Sequence, residues 1–126
     1  MTGRVVHFEI PYDDDDRARA FYERAFGWQL VPLPEMGYTL VTTGPSGEQG
    51  PTEPGFINGG MLARQAPFTA PNIVIDVTNI EDALAAVNAA GGTTVSERQA
   101  VGEMGFTAYF TDSEGNLVGL WETAGA

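Results

Sequence analysis

His7 is the single histidine of the chain and lies two residues before Glu9 in the run V-V-H-F-E-I at 5–10. In an extended strand side chains alternate between faces. Val5, His7 and Glu9 therefore point one way, and Val6, Phe8 and Ile10 the other. An imidazole beside a carboxylate can exchange protons near neutral pH, ligate a cation or hold a ligand by a hydrogen bond. The same spacing also suits a structural histidine bonded to Glu9 or to a backbone carbonyl. A second alternating run, N-I-V-I-D-V at 72–77, carries Asn72 and Asp76.

Other chemistries lack their residues. There is no cysteine, which removes disulfides, thiolate metal sites, iron–sulfur clusters and cysteine nucleophiles together. With one histidine, a multi-histidine metal site cannot be assembled within one chain. Neither a G-x-S-x-G elbow nor a Walker loop is present, and Gly59-Gly60 is too short to cradle phosphate. Ser46, Ser96 and Ser113 sit in or beside expected turns, which argues against a serine–histidine–acid triad.

The chain has 126 residues, 6 basic against 17 acidic, and a formal net charge of −11. Nucleic acid and anionic membrane are excluded as partners, because a phosphate surface needs clustered cations. A hydrophobic fraction of 43%, with 16 glycines and 8 prolines, describes a folded, turn-rich domain. No early basic segment precedes an apolar run, so no signal peptide is expected. No apolar run reaches the roughly 20 residues needed to span a bilayer. The expected location is the cytoplasm.

The elements that must position His7 and Glu9 follow from periodicity. The D-D-D-D run at 13–16 suits a helix N-terminus. Ala18, Phe21, Tyr22 and Ala25 form an i, i+3, i+4, i+7 apolar stripe, and Gly27 is the expected left-handed cap. Strands are predicted at 28–33 and 38–43. Residues 44–55 are expected to be irregular, as a lid, a binding loop or the mobile end of a hairpin. A strand follows at 56–64. After 65–71 the pattern restarts, with a strand at 72–77 and a helix striped by Ile80, Ala83, Leu84 and Val87. Gly91-Gly92 should end that helix, before strands at 93–96, 107–111 and 117–121.

Strand, helix, three strands therefore occurs twice. We expect one α+β domain over 1–126, built from two tandem βαβββ modules at 1–64 and 72–126, with 65–71 as linker. Pairing His7 with Asn72 in this repeat needs one gap; pairing Glu9 with Asp76 needs three. Halves of about 60 residues are too small for good separate cores. They should pack together or exchange between two chains, forming a cupped mixed sheet around a shared cavity with the helices on the outer face. Asn58, Gly60, Leu62 and Arg64 then share a face, as do Thr107, Tyr109 and Thr111, and Leu117, Gly119 and Trp121. Tyr109 and Trp121 offer flat apolar area with a polar tip, suited to a planar ligand or to ordinary core packing. Gly60 and Gly119 leave room for a ligand or for close strand approach.

V-V-H-F-E-I, A-F-Y-E-R-A-F-G-W at 20–28, the restart at 72 and A-Y-F-T-D-S-E-G-N-L-V-G-L-W at 108–121 resemble the vicinal oxygen chelate superfamily. That group contains glyoxalase I, bleomycin-resistance proteins, fosfomycin-resistance enzymes and extradiol dioxygenases; the match is to its glyoxalase-like branch related to lactoylglutathione lyase. The resemblance implies the paired βαβββ fold, dimerisation and, in metal-dependent members, a central divalent cation. Glyoxalase I takes its ligands from a histidine, a glutamate, a second histidine and a second glutamate. On this sequence those positions fall on His7, on Gly59 or Gly60, on Asn72 and on Gly119. One match in four implies that the usual four-ligand site is degenerate, and no cofactor is expected. Glu9 could supply a second ligand and Asp76 a distant third. Three functions follow. The first is a small organic molecule bound in the cup by Asn58, Gly60, Asn72, Thr107, Tyr109, Gly119 and Trp121, with His7 and Glu9 as the acid/base pair. The second is a metal-dependent lyase or isomerase using His7 and Glu9. The third is a non-catalytic, drug-sequestering module. The sequence leaves open whether the protein is an enzyme. The expected partners are a small-molecule ligand and a second copy in a homodimer.

Overall fold

A computed structural model describes residues 3–125. Ten strands and two helices follow in order: β1 (Arg4–Tyr12), α1 (Asp15–Phe26), β2 (Gln29–Leu33), a 3-10 turn at Pro34–Met36, β3 (Tyr38–Thr42), β4 (Ser46–Gly47), β5 (Gly50–Pro51), β6 (Asn58–Ala63), β7 (Asn72–Asp76), α2 (Ile80–Ala89), β8 (Thr93–Val101), β9 (Gly105–Thr111) and β10 (Leu117–Thr123). The chain forms two compact units. One is His7–Pro71; the other begins at Asn72 and also takes the start of β1 through Val6.

In the first unit β1 runs parallel to β6, β6 antiparallel to β3, and β3 antiparallel to β2. Pro32, which cannot donate to a ladder, sits on the edge strand β2. Asp14 caps α1 by accepting from the Arg17 N–H at 3.0 Å, and Gly27 closes it in the left-handed region at φ 73°. The expected apolar stripe is only partly the buried one. Tyr22 turns inward and stacks on Trp28, centroids 4.8 Å apart at 5°, while Phe21 stands 57% exposed. The helix is rotated so that the Tyr22 side of the stripe is the more buried and the Phe21 side meets solvent. Asp15 also faces inward and accepts a 3.4 Å bond from the Thr39 hydroxyl. Thr39, Val41 and Met61 are buried on that face of the sheet.

Residues 44–55 are more regular than the sequence suggests. β4 and β5 form a two-rung hairpin, Ser46 opposite Pro51 and Gly47 opposite Gly50. The Thr52 N–H and hydroxyl both donate to the Pro45 carbonyl, at 2.9 and 3.0 Å, and hold its base. Such side-chain and backbone bonds give a Gly/Pro-rich segment its order without a hydrophobic face.

The second unit repeats the topology. β7 runs parallel to β10, β10 antiparallel to β9, and β9 antiparallel to β8. Ile80, Ala83 and Leu84 of α2 pack on Val77, Ala108, Phe110, Val118 and Leu120. Each large apolar side chain so buried contributes about 1.5–3 kcal/mol. β8 is longer than the expected 93–96, and its pairing with β9 slips twice, between Thr94 and Ser96 and between Ser96 and Gln99. The register aligns the two units. Gly60 stands opposite Glu9 and Gly119 opposite Val74. If the two glycines are equivalent, His7 matches Asn72, Glu9 matches Val74, and Asp76 matches Pro11 rather than Glu9.

Candidate functional site

The face of the first sheet away from Thr39 and Met61 carries the candidate residues of that unit. His7 stands opposite Asn58, Glu9 opposite Gly60, and Gly60 in turn opposite Leu40 on β3. Tyr38 pairs with Leu62, one step along, and leans back over Gly60; a Cβ on Gly60 would overlap its hydroxyl and ring. The room left by Gly60 is thus filled by Tyr38. From there the hydroxyl reaches both polar groups of β1. It donates to Glu9 Oε2 at 2.9 Å and lies 2.7 Å from His7 Nε2. The tyrosine has one proton, and Glu9 receives it, so its oxygen accepts from His7 Nε2–H. His7 Nδ1 then carries the ring lone pair and has no hydrogen-bond partner among the described residues.

Burial pushes the His7 imidazole below its ordinary value near 6.5, and the Glu9 carboxylate opposes that shift only in part. His7 is therefore neutral at pH 7. Glu9 is 4% exposed. Asn58, expected to touch ligand, is engaged within the protein. Its Oδ1 accepts from the Thr43 N–H and its Nδ2 donates to Ser46 Oγ, each at 2.8 Å, tying β6 to the hairpin.

The second unit gathers the remaining candidates on the face away from α2. Gly119 stands opposite Tyr109 on one side and Val74 on the other, and Trp121 opposite Thr107 and Asp76. A Cβ on Gly119 would lie 3.0 Å from the Tyr109 ring and 3.1 Å from Val74. The Thr107 hydroxyl donates to the Leu120 carbonyl at 3.2 Å, and Trp121 Nε1 donates to Thr123 Oγ1 at 3.2 Å. Asn72 shares the face of Val74 and is 6% exposed. Glu122 lies on the opposite face, where it accepts from the Ile80 N–H and pairs with Arg98.

Sequence reasoning brought His7 and Glu9 together and missed Tyr38. The only trace of it in the sequence is the absent side chain at Gly60. No three His, Cys, Asp or Glu side chains among the described residues converge as a cation would need.

Paired βαβββ units with this strand order define a fold, and comparison with known proteins defines the family. Residues 4–44 match the family model described as bleomycin resistance protein-like N-terminal. A glyoxylase-like domain-containing protein of Didymella fabae is 30% identical over 121 residues, covering 92% of this chain and 91% of its own. The fold is shared with a hypothetical protein of Bacillus halodurans C-125, at TM-score 0.68 and 17% identity, covering 100% of this chain and 98% of that one. Methylmalonyl-CoA epimerase from Mycobacterium tuberculosis superposes at TM-score 0.64 and 18% identity, covering 98% and 89%. A glyoxalase/bleomycin resistance protein/dioxygenase superfamily member of Vibrio splendidus 12B01 does so at 0.62 and 19%, covering 97% and 99%. The chain belongs to the glyoxalase-like family of the glyoxalase/bleomycin resistance/dioxygenase superfamily, whose fold is that of the vicinal oxygen chelate proteins.

Proposed function

We propose that the protein binds a small organic molecule bearing an acidic C–H or O–H, and that His7 exchanges that proton. The carrying observation is the bonded row His7 Nε2, Tyr38 Oη and Glu9 Oε2, with spans of 2.7 and 2.9 Å. Neutral His7 accepts the substrate proton at Nδ1. Tyr38 and Glu9, at the other ring nitrogen, hold the imidazole in one tautomer and stabilise the cation it becomes. Return of the proton to another atom or face of the substrate is an isomerisation; expulsion of a neighbouring group is a lyase reaction. Structural relatives support a carbon-acid substrate, since an epimerase of this fold was solved with methylmalonyl-CoA. The net charge of −11 disfavours a polyanionic carrier and favours a neutral or cationic molecule.

The divalent cation implied by the resemblance does not fit these residues. Gly60 and Gly119 have no donor side chain, Asn72 offers a neutral amide, and Tyr38 takes up the His7 Nε2 position. A metal-dependent lyase or isomerase using His7 and Glu9 would need the Tyr38 hydroxyl displaced. Stoichiometric tight binding of Ni, Zn, Mn or Fe to protein purified without added metal would restore that reading.

The test is solvent deuterium incorporation into a panel of small carbon acids, followed by NMR. Wild type should exchange at least one of them, and His7→Gln should lose about 100-fold or more of that rate. Ligand-induced thermal stabilisation with no exchange would instead establish the drug-sequestering reading, which the match over residues 4–44 favours.

A further inference from the structure

We infer that the outward face of α1 docks an acidic helical segment of a partner protein, one that carries an apolar side chain between two carboxylates two turns apart. Arg17, Ala20, Phe21, Arg24 and Ala25 line an open cavity of about 430 Å3. Their spacing of i, i+3, i+4, i+7 and i+8 is one face of a helix. Phe21 is 57% exposed there, and its ring is braced edge-on against Tyr22, centroids 5.0 Å apart. Arg17 and Arg24 form no ion pair among the described residues. The acidic run before them is already engaged. Asp13 pairs with Arg64, Asp14 caps the helix, and Asp15 and Asp16 both pair with Arg19. Glu23 stands about 100° around the helix from Arg24, off this face.

The make-up of this face is that of an interface centre, where arginine and aromatic rings are enriched and acids depleted. It holds two arginines, a phenylalanine and no acid, in a chain with 17 acidic residues. Positive charge on both sides of an exposed ring is complementary to negative charge on both sides of an apolar group. Seven residues separate Arg17 from Arg24, about 10.5 Å along the axis, which is the separation of two carboxylates at i and i+7 on a second helix. Ala20 and Ala25 lower the surface beside the Phe21 ring, so a ridge of partner side chains can seat there. A second copy of this chain is the poorer occupant. Antiparallel packing of α1 on α1 about Ala20 and Phe21 would set Arg17 against Arg24 across the two-fold, and two chains at −11 repel. A segment with only a few carboxylates meets far less of that repulsion. The inference goes beyond the His7 reading and uses none of its residues.

The probe is a capped, alanine-based helical peptide with two glutamates seven residues apart and a leucine between them, titrated into uniformly 15N-labelled protein. Analogues with glutamines or lysines at the two acidic positions are the controls. The glutamate peptide should shift the α1 amides saturably, with a Kd below about 1 mM. The glutamine peptide should bind at least tenfold more weakly. Arg24→Glu and Phe21→Ala should each weaken the glutamate peptide at least tenfold, and Arg24→Glu should bind the lysine peptide more tightly than wild type does. Should Phe21→Ala not fold, Arg24→Glu, at an exposed position, carries the test alone. The inference is overturned if the glutamate peptide leaves the α1 amides unmoved at that concentration, if the glutamine peptide binds as well, or if either folded variant binds undiminished. A wild-type dimer in sedimentation that Arg24→Glu dissociates would give this face to a second copy and overturn the partner segment. Failure of deuterium exchange would sink the His7 reading and leave this one standing.

Discussion

Tyr38 joins two groups that share a strand face but point past one another. Its ring lies over Gly60 because no Cβ stands there, and its hydroxyl completes the contact of His7 with Glu9. Tyr38→Phe keeps the ring and removes the bridge. Proton exchange should fall, and thermal unfolding should read a loss of about 1–3 kcal/mol, because a buried carboxylate and an imidazole lose a partner together. A change in stability with unchanged exchange would make the bridge structural. His7 also sets a pH dependence. Its folded imidazole is harder to protonate than the unfolded one near 6.5, chiefly through burial. Below 6.5 the unfolded chain therefore binds more protons. The stability tied to neutral His7 is full above that pH and is lost as pH falls through the lowered folded value. His7→Gln should flatten the Tm–pH curve in that window, and the exchange rate of wild type should rise across it.

At the scale of elements, the start of α2 is held by a residue far along the chain. Glu122 of β10 accepts from the Ile80 N–H at 2.9 Å and from Arg98 Nη2 at 3.0 Å, and the Arg98 guanidinium lies 3.5 Å over the Phe106 ring. The Arg98 hydrogen bond first, and the Ile80 N–H second, hold the Glu122 carboxyl below the usual carboxylate range. Its contribution is present above the unfolded value and lost as pH falls through the lowered one. Glu122→Ala should destabilise by about 1 kcal/mol, the usual cost of a lost helix cap, and Glu122→Gln should blunt the acid limb of unfolding. Chemical denaturation at pH 7 and pH 4 checks both. Equal losses at the two pH values would remove Glu122 from this role.

Across the whole chain, charge acts without a particular contact. Six arginines stand against 17 carboxylates, and only Arg19, Arg64 and Arg98 form ion pairs among the described residues. Like-charge repulsion is long-ranged and screened by salt. Raising sodium chloride from 20 mM to about 0.5 M, where the screening length drops to a few ångströms, should increase Tm. A flat or falling Tm would show that local pairs outweigh the net field.

Helices, strands and the repeated βαβββ order were legible in the sequence, because periods of 3.6 and 2 are local properties of a few neighbouring residues. Gly27 as a left-handed cap and the shared face of His7 and Glu9 were readable for the same reason. Phe21 was misjudged because a stripe marks an apolar side of a helix but not its rotation about its own axis. The register of Gly60 against Glu9, which admits Tyr38, and the meeting of Glu122 with the Ile80 N–H and Arg98 depend on which strands meet and where. So does the burial that shifts His7. These are meetings of residues tens of positions apart, and tertiary structure alone creates them.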